Sequence, residues 1–170
     1  MGVECIVWRA PTVSGWDDPT PYGDLSTPHP RIMWLAERTW GVSPSDIRAI
    51  ERVKRQYAYR IDDREYDAVV DCFTADARFD TPEGERFEGR GELREFAAGI
   101  EEAFDETAHV LTNPVIDVEG DAATGRWYLT LHYAVDGETG TEQAAYRDEY
   151  RRVDGEWLIA HTEVVGGIEH

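Results

Sequence analysis

Residues 122–135 alternate strictly between two kinds of side chain. Trp127, Leu129, Leu131 and Tyr133 fall on one side; Arg126, Tyr128, Thr130 and His132 fall on the other. A period of two over so long a run is a β-strand with one face buried and one face wet. Three more segments have the same character: His109–Val118, Thr141–Val153 and Glu156–Val165. Asp154-Gly155 separates the last two and is a two-residue hairpin turn. Long consecutive strands with tight connections make an antiparallel meander. Its apolar face needs a cover.

The preceding residues supply that cover as helices. Ser43-Pro44-Ser45-Asp46 is a helix start, with a Ser cap, Pro in the first turn and an acid three residues after the cap. Ile47, Ile50, Val53, Tyr57 and Ile61 then recur every three or four residues and form one buried stripe. A second, short helix is predicted over Arg64–Phe73, with Tyr66, Val69, Val70 and Phe73 inward. A short strand follows near Ala77–Thr81, then a turn at Thr81-Pro82-Glu83-Gly84, with Arg86–Glu88 pairing back. A third helix is predicted over Gly91–Phe104, with Leu93, Phe96, Ala97, Ile100 and Phe104 on one face. Helices followed by a run of antiparallel strands mean an α+β fold, with the sheet curling over three helices.

Residues 1–44 are different. They hold six of the eight prolines and four of the six tryptophans (Trp8, Trp16, Trp34 and Trp40). The prolines exclude regular helix or central strand, and the tryptophans are too apolar for a free tail. The segment reads as an irregular arm packed on its own domain or on a neighbouring subunit, with a poorly ordered extension as the alternative. The expected organisation is an extension over 1–44, a domain over 45–166 and a short tail over 167–170.

Charge narrows the partners. Asp and Glu number 35 against 17 Lys and Arg, a formal net charge of −18. Such a surface repels the phosphate backbone, so nucleic acid is not an expected partner. A polybasic membrane anchor is absent, no apolar run is long enough to cross a bilayer, and no secretory signal is visible. Of the basic residues only Lys54 is a lysine. Carboxylate-rich, lysine-poor surfaces hold water against competing salt, and their self-repulsion is screened at high ionic strength. A salt-adapted protein is therefore expected, with an ordinary acidic cytosolic protein as the alternative. The two cysteines, Cys5 and Cys72, are far apart and form no CxxC; reduced thiols and a cytoplasmic location are the expectation.

Phosphate-binding, dinucleotide-binding, zinc-protease and nucleophile-elbow motifs are missing. The histidines (His29, His109, His132, His161 and His170) lack metal-ligand spacing. Neither metal nor cofactor is expected, which leaves acid–base side chains in a pocket.

Several stretches carry a family resemblance: Gln56 to Ala77, Gly89-Arg90-Gly91, Thr107 to Asn113, Val118 to Ala122, and Tyr146 to His161. In order and spacing they resemble SnoaL-like proteins of the nuclear transport factor 2-like superfamily, which are cone-shaped α+β barrels. The resemblance covers about residues 45–165. One branch, which includes scytalone dehydratase, bile-acid 7α-dehydratase and hexachlorocyclohexane dehydrochlorinase, pairs an Asp on the first helix with a His on the strand after the third. Asp62 and His109 match that pair, and Tyr57 matches a tyrosine of the bile-acid enzyme. The resemblance implies a cofactor-independent lyase or isomerase acting on a hydrophobic small molecule, with His109 moving the proton, Asp62 supporting it and Tyr57 donating a hydrogen bond. A non-catalytic binding or assembly module of the same fold is the alternative. A functional dyad competes with a capping Asp62 and a packed His109, and Tyr57 competes with a plain core role. Five helical steps set Tyr57 and Asp62 about 140° apart, so Tyr59, three residues before Asp62, is a competing phenol.

The resemblance implies that Trp127, Leu129 and Tyr146 line the pocket, with core packing as the alternative, and Phe79 is a further expected pocket residue. His161 alternates with Trp157 and Ile159, which points it inward; His132 is expected to face solvent. The departures also matter. Trp127 stands where scytalone dehydratase has a second histidine, Ala144 and Tyr146 replace its Ser and Asn, and Thr162 stands where many relatives have Arg. The family further implies a homo-oligomer, a trimer first and a dimer as the alternative.

Overall fold

The computed structural model describes residues 43–166. The Pro/Trp-rich arm, apart from its last two residues, and the C-terminal tail lie outside the described residues. Three α-helices and six strands are found among the described residues: α1 (Pro44–Asp62), α2 (Tyr66–Val69) running into a 3-10 turn (Val70–Cys72), β1 (Phe73–Asp80), β2 (Arg86–Glu88), α3 (Gly89–Ala103), β3 (Glu106–Glu119), β4 (Ala122–Val135), β5 (Glu138–Val153) and β6 (Glu156–Gly166). No helix among them is long and apolar enough to cross a membrane.

Helix α1 starts as its sequence dictates. The Ser43 side chain accepts from the Ser45 backbone N–H at 3.2 Å, and Pro44 occupies the first turn. Asp46 does not close a capping box. Its carboxylate reaches the far end of the fold, where the Trp157 indole N–H donates to it at 3.2 Å and Arg152 pairs with it at 2.8 Å. The stripe Ile50, Val53, Tyr57 and Ile61 is buried. The second helix is shorter than predicted. It tightens into the 3-10 turn at Val70, and strand conformation begins at Phe73.

The strands form one open, mixed sheet in the order β2-β1-β6-β5-β4-β3. From β3 to β6 it is the expected antiparallel meander. The exception is β1, which lies parallel to β6 and carries the β2 hairpin at the sheet's edge. Asp154-Gly155 makes the β5–β6 turn with both residues at positive φ (52° and 89°). Asp136-Gly137 repeats this geometry between β4 and β5 (53° and 80°), which starts β5 at Glu138 rather than Thr141.

Two irregularities shape the sheet. In β3 the register shifts between Thr112 and Val115, with Asn113 at a φ of 52°; the bulge takes Pro114, which has no N–H to donate, out of the ladder. In the β5–β6 pair Tyr150 faces Ile159 but Glu149 faces His161, so Ala160 is the extra residue. One inserted residue reverses which side chains point inward beyond it.

Candidate active site

Asp62 is the last residue of α1, at the end where the helix dipole disfavours a negative charge. Three hydrogen bonds from the start of β3 hold its carboxylate instead. The Thr107 hydroxyl donates to Oδ1 at 2.9 Å, the His109 backbone N–H donates to Oδ2 at 2.8 Å, and the His109 ring Nδ1 lies 2.6 Å from Oδ1. Thr107 and His109 are two apart on one strand and share a face. With the Asp62 carboxylate accepting from Nδ1–H, the imidazole takes the tautomer that leaves Nε2 as its base. Both side chains are largely buried, His109 at 8% and Asp62 at 19% exposure.

His109 lines a cavity of about 720 Å³. Phe79, Phe96, Ile100, Phe104, Leu129, Leu131 and Val164 make its walls, and the Tyr57 and Tyr146 rings close one part of it. Thr81, Pro82, Glu83, Thr107, Glu142 and Gln143 are also among the lining residues, which include no Lys or Arg among the described residues. The Tyr57 and Tyr146 rings stand edge to face, centroids 6.2 Å apart. Burial pushes both phenols up from their ordinary range, so near neutrality they are hydrogen-bond donors and not anions.

Of the residues predicted for the site, His109, Tyr57, Phe79, Leu129 and Tyr146 line this cavity, and Asp62 stands behind His109. The hydrogen bonds of Asp62 go to Thr107 and His109. Tyr57 lines the cavity and α1 stays helical through Asp62, so no frayed helix end is needed.

Three expected pocket residues lie elsewhere. Tyr59 is 70% exposed, because two helical steps from Tyr57 turn it about 200° to the solvent side. Trp127 is buried below the cavity, where its indole N–H donates to the Tyr150 hydroxyl at 3.1 Å; Leu129 and Leu131 of the same strand line the cavity instead. His161 faces away. The extra residue at Ala160 breaks its alternation with Ile159, so Thr162 turns inward and the His161 Nε2 lies 2.8 Å from Asp80, beside Arg78. His132 is exposed as expected, beside the Thr141 hydroxyl at 3.0 Å.

Two features escaped the sequence reading. Thr107 carried a usable signal, its spacing of two from His109 on a strand. Lys54 did not stand out, although it falls within the apolar stripe of α1. It is fully buried and pairs with Asp148, also buried, at 2.9 Å. Asp148 further accepts from the Thr162 hydroxyl at 2.8 Å and the Tyr150 hydroxyl at 2.7 Å. Burial pushes the Lys54 ammonium down from its ordinary value, and the facing carboxylate opposes that shift. Thr162 thus serves this buried pair.

A family model described as a SnoaL-like domain matches residues 43–163. Three solved structures from Novosphingobium aromaticivorans are similar. A provisionally named aromatic ring hydroxylase is 30% identical, with a TM-score of 0.70 over 76% of this chain and 94% of that one. A provisionally named scytalone dehydratase is 24% identical, with a TM-score of 0.68 over 73% and 85%. A nuclear transport factor 2-like protein with a cystatin-like fold is 22% identical, with a TM-score of 0.67 over 82% and 88%. No curated protein matches the chain. The family match spans most of the chain and the same helices and strands that bring Asp62 to His109: this protein belongs to the SnoaL-like family.

Proposed function

We propose that the cavity is the active site of an acid–base enzyme, a dehydratase-like lyase or an isomerase. His109 Nε2 takes a proton from a carbon or gives one to a leaving oxygen, and Asp62 fixes the imidazole tautomer and stabilises the imidazolium that forms. The Tyr57 and Tyr146 phenols supply neutral hydrogen-bond donors to a carbonyl or departing oxygen in an apolar surround, where each polar contact counts for more. The observation that carries the reading is the 2.6 Å contact between His109 Nδ1 and Asp62 on the wall of the cavity. These residues supply proton transfer from the chain itself, with no metal or cofactor in the proposed role.

The substrate is a hydrophobic, uncharged small molecule. Aromatic and aliphatic walls favour a lipophilic body. The ionisable residues other than tyrosine around the cavity are His109, Glu83 and Glu142, so no cation meets a carboxylate or phosphate there. Matched pairs of polycyclic ketones and their carboxylate analogues test this by thermal shift, since a bound ligand raises the unfolding midpoint. Stabilisation by the neutral member alone is expected; stabilisation by the acid alone would refute it. With a turned-over ligand in hand, His109→Ala abolishes the reaction. A His109→Ala variant that keeps full turnover would refute the dyad, and ligands that bind the unaltered protein with no turnover of any would leave the alternative, a binding or assembly module with a polar cavity wall. The assembly proposed is a homotrimer, with a homodimer as the alternative, and light scattering in molar salt distinguishes them.

A further inference from the structure

The one lysine of a chain with 17 basic residues is a costly residue in a costly place. Lys54 and Asp148 are both fully buried, and exchanging such a pair for apolar groups is often neutral or stabilising. Stability alone therefore gives a weak reason for it. Its neighbours suggest another. The Lys54 Nζ sits 3.7 Å from the centroid of the Tyr146 ring and 4.9 Å from that of Tyr57, the two tyrosines that line the cavity. Lys54 does not line the cavity, so it acts on a bound molecule only through those rings.

We propose that Lys54 is a positioning residue of the active site: its ammonium, held against the Tyr146 ring by Asp148, fixes that ring and draws charge from it, so that the Tyr146 hydroxyl gives a stronger hydrogen bond to an oxygen of the bound molecule that carries negative charge. The cation–ring attraction is largest in a dry surround, which this one is. Asp148 is the counter-charge that keeps the ammonium in place, and its remaining acceptor capacity is occupied by the Thr162 and Tyr150 hydroxyls. An oxygen gains negative charge during the proton transfers assigned to His109, so the device has its use in that chemistry. The inference rests on the acid–base reading of the cavity, but its test needs no turnover.

The probes are naphthalene and a set of naphthols of graded acidity, with binding measured by fluorescence on the full chain. Naphthalene reports the shape of the cavity. The naphthols enter as neutral molecules and share their proton with His109 Nε2, so they report the strength of the hydrogen bond to an oxygen that turns more anionic as acidity rises. In the unaltered protein, affinity relative to naphthalene rises with naphthol acidity, and Tyr146→Phe removes that rise. Lys54→Met weakens binding of the most acidic naphthol about tenfold, part of what a hydrogen bond to a charged oxygen contributes, and leaves naphthalene within about twofold. The double variant Lys54→Met, Asp148→Asn carries no orphaned charge, and it loses the same factor. It decides the matter should the single variant fail to fold.

Recovery of naphthol binding in the double variant would assign the effect to the unpaired, buried Asp148 charge and overturn the proposal. Equal loss of naphthalene and naphthol would reduce Lys54 to a packing role and overturn it too, as would affinity in the unaltered protein that ignores naphthol acidity. None of these outcomes touches the dyad, which stands or falls on the turnover of His109→Ala.

Discussion

Asp62→Asn is the sharpest probe of the dyad, because the side chain keeps its shape and loses its ability to accept everywhere. The carboxylate accepts from the Thr107 hydroxyl and His109 Nδ1 on one oxygen, and from the His109 backbone N–H on the other. An Asn can meet these partners in two orientations. With its oxygen toward the backbone N–H, its amide N–H faces Nδ1, which must then accept; the proton moves to Nε2 and the cavity-side nitrogen is no longer a base. With its oxygen toward Nδ1, its amide opposes the backbone N–H, donor against donor, and a partly buried N–H goes unpaired at a cost of about 1–3 kcal/mol. The Thr107 hydroxyl can rotate to suit either. The first orientation avoids that penalty, so the variant inverts the tautomer and keeps its fold. Weakening charge-assisted bonds to neutral ones costs about 1–2 kcal/mol of stability. The reaction rate falls about 10²–10⁴-fold, the range of a lost general base. Nitrogen NMR of the His109 ring reads the tautomer without substrate, urea unfolding reads stability, and turnover reads the rate. A variant whose His109 keeps its proton on Nδ1, or whose rate stays within about threefold, would refute the argument.

Alkali tests the buried tyrosines. Tyr57, Tyr146 and Tyr150 are all raised by burial, Tyr150 also by the Asp148 carboxylate. Their folded forms hold protons that the unfolded chain releases above its ordinary phenol value of about 10. The stability they contribute is complete below that value and is lost as pH rises beyond it. Urea midpoints should therefore fall steeply above about pH 10, and less steeply in Tyr146→Phe; a midpoint flat through that range would count against the burial assignment. Salt tests the acidic surface: with a net charge of −18, stability should climb as KCl is raised to molar levels, and equal midpoints in dilute and molar KCl would end the salt-adaptation reading.

The fold was legible wherever one physical rule governed a long stretch. Strand β4 follows from strict alternation, and α1 from a cap and a stripe. Legibility failed where one residue changed the rule. The insertion at Ala160 reversed the parity that had pointed His161 inward, and no composition signal marks such a bulge. The parallel β1–β6 pair joins the two ends of the domain, and local pattern says nothing of partners so distant in the chain. At the site, the dyad was legible as a pair of types at matching places. The residue that locks it, Thr107, was legible only once His109 was known to lie on a strand.

Lys54 marks a different limit. An amphipathic stripe is read by sorting residues into apolar and polar, and a lysine within the stripe is sorted as an edge residue whose stem lies down and whose head reaches water. What overrides that rule is a partner, Asp148, far along the chain on β5, where it falls on the inward face beside Tyr146 and Tyr150. A buried acid on an inward strand position is an anomaly of the same kind, and each anomaly explains the other. In a chain with 35 acids and one lysine, the search for a buried partner is short from the lysine's side and hopeless from the acids'. A scarce residue type is therefore the better starting point: its placement against pattern says where the molecule spends a charge, and here that charge lies against the tyrosine that lines the cavity.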